Sequence, residues 1–423
     1  MPLSRSLLAL RLVAFGLGLA FLIVQTPVPA QAGEGWPGWR GPHGNGKVPE
    51  EKPPLKWDAT TGVLWKTPVP GRGHSSPVVD GKRIFLTTAE EGTGTQSVLA
   101  FDRETGKPVW AKVIFTGGLD AKAHKRNTQA TCTVACDGER VFALFMNGGA
   151  IHLIALSPDG AELWRKELGK FKSHWGYSAS PILHGSSILV AADHADGGFV
   201  TAVDRATGDI LWTQERPKSP NYPPPVVARV AGKDQVLIAG CKLFSSYDPA
   251  SGKPLWSADA TTEECVGSVV VDGDLAFASG GYPKSETVAV RADGSGEIVW
   301  RNNTKVYVPS MLVHEGHLYA VNDSGMAFCW EAATGNEKWK ERLGGVFNAS
   351  PVLAGNHIFV AREDGTTFVI KPDPAKLNVV SENKLGSEVF ATPSFAGNRI
   401  YLRVAELIDG KRQEFLYCVG GKE

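Results

Sequence analysis

Between residues 100 and 340, a tryptophan follows a glycine by four positions six times, with the same spacing inside every copy. The pairs are Gly106/Trp110, Gly160/Trp164, Gly208/Trp212, Gly252/Trp256, Gly296/Trp300 and Gly335/Trp339. Successive tryptophans stand 54, 48, 44, 44 and 39 residues apart, the size of a four-stranded unit. A chain patterned in this way copies one supersecondary unit that cannot bury its apolar faces without its neighbours.

The fullest copies add a capping pattern before the glycine: Ala100, Asp102 and Thr105, then Ala202, Asp204 and Thr207. An aspartate here can accept the N–H groups of the following turn. The glycine supplies the positive φ of a tight hairpin. The tryptophan is large and flat enough to fill the gap between twisted sheets.

A second signal is a pair of short strands around a glycine turn. It recurs eight times, at Gly81, Gly138, Gly185, Gly232, Gly273, Gly316, Gly355 and Gly397. Alternation in residues 83–88 and 317–321 reads as half-buried strand. A third apolar strand follows each copy, as at residues 151–156, 287–290, 367–370 and 414–419. The count predicts an all-β, eight-bladed β-propeller of four-stranded antiparallel blades. The chain ends after the eighth third strand, so the missing outer strand is sought near the N-terminus, at residues 62–67 with Trp65. Pairing it with the C-terminal blade closes the ring and removes the open edge. The seventh outer strand, around residues 377–384, carries no tryptophan.

Composition agrees: 48 Gly, 27 Pro and 12 Trp accompany only 4 Met. Arg5 and Arg11, an apolar run at residues 12–24, prolines 27 and 29, and Ala30-Gln31-Ala32 predict a cleaved secretory signal over residues 1–32. Residues 33–57 read as an N-terminal extension and 58–423 as the propeller. A periplasmic or secreted location follows, with no membrane span after cleavage. Losing Arg5 and Arg11 leaves 42 basic and 44 acidic residues, a balance that gives no footprint for nucleic acid. Six cysteines (132, 136, 241, 265, 329 and 418) show neither C-x-x-C nor C-x-x-C-H spacing and read as small buried apolar residues.

The repeat Ala-x-Asp-x-x-Thr-Gly-x-x-x-Trp resembles the tryptophan-docking motif of the PQQ-like propeller superfamily. That superfamily includes quinoprotein alcohol and glucose dehydrogenases and the outer-membrane assembly lipoprotein BamB. The run Gly35-Trp36-Pro37-Gly38-Trp39-Arg40-Gly41-Pro42 is similar to the opening of many secreted PQQ-like repeat proteins. The resemblance spans residues 36–423. It implies either a binding or scaffold protein of the cell envelope, or a PQQ-dependent quinoprotein oxidoreductase with a reduced cofactor site that takes PQQ with calcium. This chain lacks the adjacent cysteine pair and the haem motif of the dehydrogenases, and the lipid-accepting cysteine of BamB. No calcium-ligand set carries over. The expectation is a binding or scaffold protein rather than an enzyme, with no catalytic residue, metal ligand or cofactor assigned.

In propellers, ligands meet the loops that run from an outer strand to the next inner strand. The candidate ring here is Arg72 and His74, then His124, Arg126, Asn127 and Gln129 (with Lys125), then His174, Trp175 and Tyr177, then Tyr222, Glu263 and Tyr307. The first three loops predict a positive sector opposite Glu263 and Glu264, with side chains accessible at the channel mouth. Such a sector suits an acidic partner loop or a small polar or anionic ligand, held by charge plus stacking. Loops 344–348 and 386–390 read as bland.

Overall fold

The computed structural model describes residues 35–120, 124 and 126–421; the expected signal segment and Lys125 lie outside them. Among the described residues the strands sort into eight blades of four antiparallel strands, with no helix; in chain order they span residues 78–116, 135–170, 182–216, 226–258, 270–302, 312–342, 352–384 and, for blade 8, 394–419 with 63–69. Blade 1, for example, runs from Val78–Asp80 beside the channel through Arg83–Glu90 and Thr95–Asp102 to Pro108–Thr116 at the rim. All eight glycines of the inner hairpins adopt positive φ, as their turns require.

The middle strands are buried on both faces, unlike the half-buried reading of their alternation. Ile84 and Leu86 join the core shared with blade 8, while Phe85 between them joins the core shared with blade 2. Stacked blades give each central strand two apolar neighbours, so only the outer strand keeps an in–out pattern.

The repeated motif works as expected at its aspartates. Asp102 Oδ1 accepts from Thr105 N at 2.9 Å and Thr105 Oγ1 at 2.8 Å, and Asp204 Oδ1 accepts from Ala206 N and Thr207 N at 2.8 and 2.9 Å. The motif glycine has a further role. A Cβ built on Gly252 falls 2.5 Å from the ring of Trp212 in the preceding blade; Gly106 faces Trp65, and Gly335 faces Trp300, in the same way. Each tryptophan therefore lies on the turn of the next blade. Trp110, Trp212, Trp300 and Trp339 also donate Nε1–H to a carbonyl there, at 2.8 to 3.0 Å.

Closure is as counted. Val63–Val69 pairs antiparallel with Lys411–Val419, giving blade 8 its fourth strand. Across that seam the buried Arg403 of blade 8 pairs with Glu414 at 2.6 Å and donates to Thr87 O and Ser75 Oγ of blade 1 at 2.7 and 2.9 Å.

Residues 35–57 are woven into the ring. Trp36 exchanges backbone hydrogen bonds with Val79 of blade 1 (2.8 and 3.0 Å), and Pro37 O accepts Cys136 N of blade 2 at 2.7 Å. Trp39 Nε1 donates to Ser268 Oγ of blade 5 at 2.8 Å, and the buried Arg40 donates from Nη2 to Met311 O of blade 6 at 2.8 Å. Lys47–Val48 then adds a fifth, parallel strand inside blade 7, against Val352–Ala354. This strap crosses the channel and stoppers it.

Candidate functional site

With one end of the channel stoppered, the other opens as a blind funnel of about 530 Å³ on the face of the outer-to-inner loops. Trp39 forms its floor. Its walls start from a belt of hydroxyls just ahead of the inner strands. Thr133 Oγ1 accepts Ser76 N, Ser180 Oγ accepts Thr133 N, Ser310 Oγ accepts Ser268 N, Ser350 Oγ accepts Ser310 N, and Thr392 Oγ1 accepts Ser350 N, all at 2.9 to 3.0 Å. Blade 4 breaks the belt with Pro224. Thr131, Ser178, Ser180, Ser350 and Thr392 line the funnel, with Val266 and Val308 between them.

Six of the residues singled out in the sequence reach the funnel: His74, Arg126, Asn127, Trp175, Tyr222 and Tyr307. His74 stacks on Phe390, ring centroids 4.2 Å apart. Asn127 fixes the rim by accepting from Thr131 Oγ1 at 2.6 Å and donating to Trp175 O. Trp175 remains 40% exposed, with His124 at 3.9 Å and His174 edge-on beyond it. Tyr307 donates its hydroxyl to Glu264 at 2.9 Å, and the Tyr222 hydroxyl lies 3.4 Å from Ser173 Oγ. Burial pushes the Tyr222 hydroxyl up to about 12.

The other candidates serve the scaffold. Tyr177 was expected at the channel mouth; it is buried instead, and donates to Ala191 O at 2.9 Å. Arg72 bridges to Ala89 through its backbone, and Gln129 holds Asp120. Glu263 pairs with Lys242 at 2.6 Å. His124 and His174 back Trp175 without lining the funnel. The loops that read as bland contribute Val346, Asn348 and Phe390 to the wall.

The expected positive sector is largely neutralised. Arg126 reaches Glu363 at 2.5 Å, and Asn348 Nδ2 donates to the same carboxylate at 2.7 Å. Burial, then the nearby cations Arg72, Arg403, Arg412 and Arg126, hold His74 well below 6.5, so its ring is neutral at pH 7. Burial lowers His194, His314 and His357 as well. For groups with a lowered folded pKa, the unfolded chain takes up protons first as the solution is acidified. Stability should therefore be full above about pH 7 and fall as pH drops through 6.5. Urea midpoints at pH 7.5 and 5.5 check this: equal values at the two would contradict it.

Fold and funnel together define a repeat propeller with a funnel open at one end. The profile of the family described as outer membrane protein assembly factor BamB matches residues 54–113, 94–340 and 284–375, and the chain belongs to that PQQ-like repeat family. BamB of Burkholderia pseudomallei (strain K96243) is 25% identical over 355 residues, 78% of this chain and 81% of its own. Among solved structures, a europium-containing methanol dehydrogenase aligns with TM-score 0.69 at 11% identity, over 92% of this chain and 98% of its own. BamB from Moraxella catarrhalis aligns with TM-score 0.60 at 13% identity, over 84% of this chain and 99% of its own. The structural likenesses carry the fold alone.

The dehydrogenase neighbours raise the question of PQQ with calcium. The described lining residues do not fit it. Their one permanent cation, Arg126, is already paired with Glu363, which leaves no free countercharge for a tricarboxylate quinone. Among the described residues no three His, Cys, Asp or Glu side chains gather as a cation site. The six cysteines are all buried and unbonded, and none lines the funnel.

Proposed function

We propose that this protein is an exported binding or scaffold protein of the cell envelope, working through its funnel and the surrounding loop face. The blind funnel is the observation that carries the reading: an aromatic floor and rim over fixed polar walls, with Arg126 paired to Glu363 and Asp323 the remaining charge among the described lining residues. Pockets of this kind bury a ligand against apolar surface while a few placed polar groups orient it. The expected cleaved signal over residues 1–32 and the envelope role printed in the name of its relatives support the location. Among the described residues no helix is long and apolar enough to cross a membrane.

Site-specific photo-crosslinkers placed in the native envelope test this. Residues at the funnel mouth, Trp175 and Val346, are compared with exposed hairpin-turn residues of the opposite face, Lys82 and Lys233. Adducts are expected from the first pair and not the second. Equal labelling of both faces would remove the loop face from the proposal.

A further inference from the structure

Three properties of the funnel narrow what it can hold. The first is charge. Arg126 is committed to Glu363, and Asp323 brings a carboxylate whose Oδ1 is buried without a partner. An anion entering here would meet that carboxylate with no free cation among the described lining residues to offset it.

The second is stacking surface. Trp39 lies across the floor, its ring fixed by the 2.8 Å bond to Ser268, and Trp175, Tyr222, Tyr307 and Phe390 stand around the wall. Flat aromatic faces bind the apolar face of a ring without needing charge.

The third is hydrogen-bonding direction. The oxygens of Ser180, Ser350 and Thr392 each accept a backbone N–H, which leaves their own protons to donate. Asp323, also in the lining, adds a carboxylate, a group that accepts hydrogen bonds. An occupant must therefore accept from some walls and donate to others. A purely aromatic ligand would satisfy the stacking and leave these groups unpaired, at a cost in affinity.

We propose that the funnel binds a neutral saccharide, stacked on Trp39 and hydrogen-bonded to Asp323 and the hydroxyl belt. Each sugar hydroxyl both donates and accepts, so one kind of group answers both walls, and a pyranose ring offers an apolar face to the indole. The volume of about 530 Å³ admits a short oligosaccharide. The inference rests on the loop-face binding reading and names its ligand class.

Titrating the purified mature protein with a panel of neutral di- and trisaccharides (maltose, cellobiose, diacetylchitobiose and their trimers) tests it, read by tryptophan fluorescence and calorimetry. At least one should saturate, with affinity changing less than about twofold between low and high salt, since no net charge is matched. Trp39→Ala and Asp323→Asn should each weaken it by at least about tenfold. Trp39→Phe, which keeps a ring, should retain most of it, and circular dichroism should show all three variants folded. The proposal is overturned if no sugar saturates, if binding survives Trp39→Ala in a folded protein, or if an acidic sugar or free PQQ binds tighter than every neutral one. Should the sugars fail while crosslinks still form at Trp175 and Val346, the binding reading stands and a protein segment replaces the saccharide. Failure of both removes both.

Discussion

Trp212→Ala is expected to lower the unfolding free energy by about 3–5 kcal/mol, the cost of truncating a large buried aromatic. Its indole is 9% exposed and lies between blades 3 and 4, against Gly252 of the next turn. Its Nε1 donates to Pro249 O at 3.0 Å, so truncation also leaves that carbonyl without its partner. The seat cannot close over the cavity, because Gly252 is held at φ 71° by its own hairpin. Gly252→Ala attacks the same joint from the other side and should destabilise too, since its Cβ would fall 2.5 Å from the indole. Urea unfolding gives both values. A loss below about 1 kcal/mol for Trp212→Ala would mean that the blades do not depend on this contact.

Deleting residues 60–68 should have the larger effect. It removes the outer strand of blade 8, together with Trp65, which covers Gly106, and the 2.7 Å bond from Thr67 Oγ1 to Gly106 O. Lys411–Val419 would become an open edge, and the joint between blades 8 and 1 would lose its lock. A fall of at least about 10 °C in the thermal midpoint is expected. Hydrogen exchange should speed up first in Arg399–Ile408 and Lys411–Val419. If the truncated chain does not fold, Trp65→Ala should show the same local pattern with a smaller shift. Exchange that rises evenly through all blades would refute the closure argument.

The blade count and the closing strand were legible in the sequence because each blade writes the same local chemistry: an aspartate-capped turn, a glycine and a tryptophan. What the glycine faces was not legible. Gly252 reads as a turn residue, and nothing local says that the indole 40 positions earlier lies on it. Half of the candidate residues reach the funnel, for a similar reason. Loop position follows from the repeat, but side-chain direction does not, so Tyr177 looked like a rim residue and is core. Val346 and Phe390 looked inert because they are apolar, yet an aromatic-lined funnel needs such residues. Arg126 looked free because its partner Glu363 is 237 positions away. Trp39 sits in the non-repeating strap, where periodicity is silent. The hydroxyl belt did leave a trace, a Ser or Thr before the inner strand in seven of eight repeats, visible once the strands are aligned.

The strap also sets an order of events. A chain is made from its N-terminus, yet Trp39 cannot meet Ser268, nor Arg40 meet Met311, until blades 5 and 6 exist. The strand at Val63–Val69 has no partner until Lys411–Val419, the last strand of all, has emerged. Trp36 can meet Val79 early, but Trp39, Arg40 and the strand at Val63–Val69 wait for partners more than 200 positions further on. The floor of the funnel therefore reports on assembly: a molecule whose later blades have not docked has no base to its funnel, and the funnel is complete only with the finished ring.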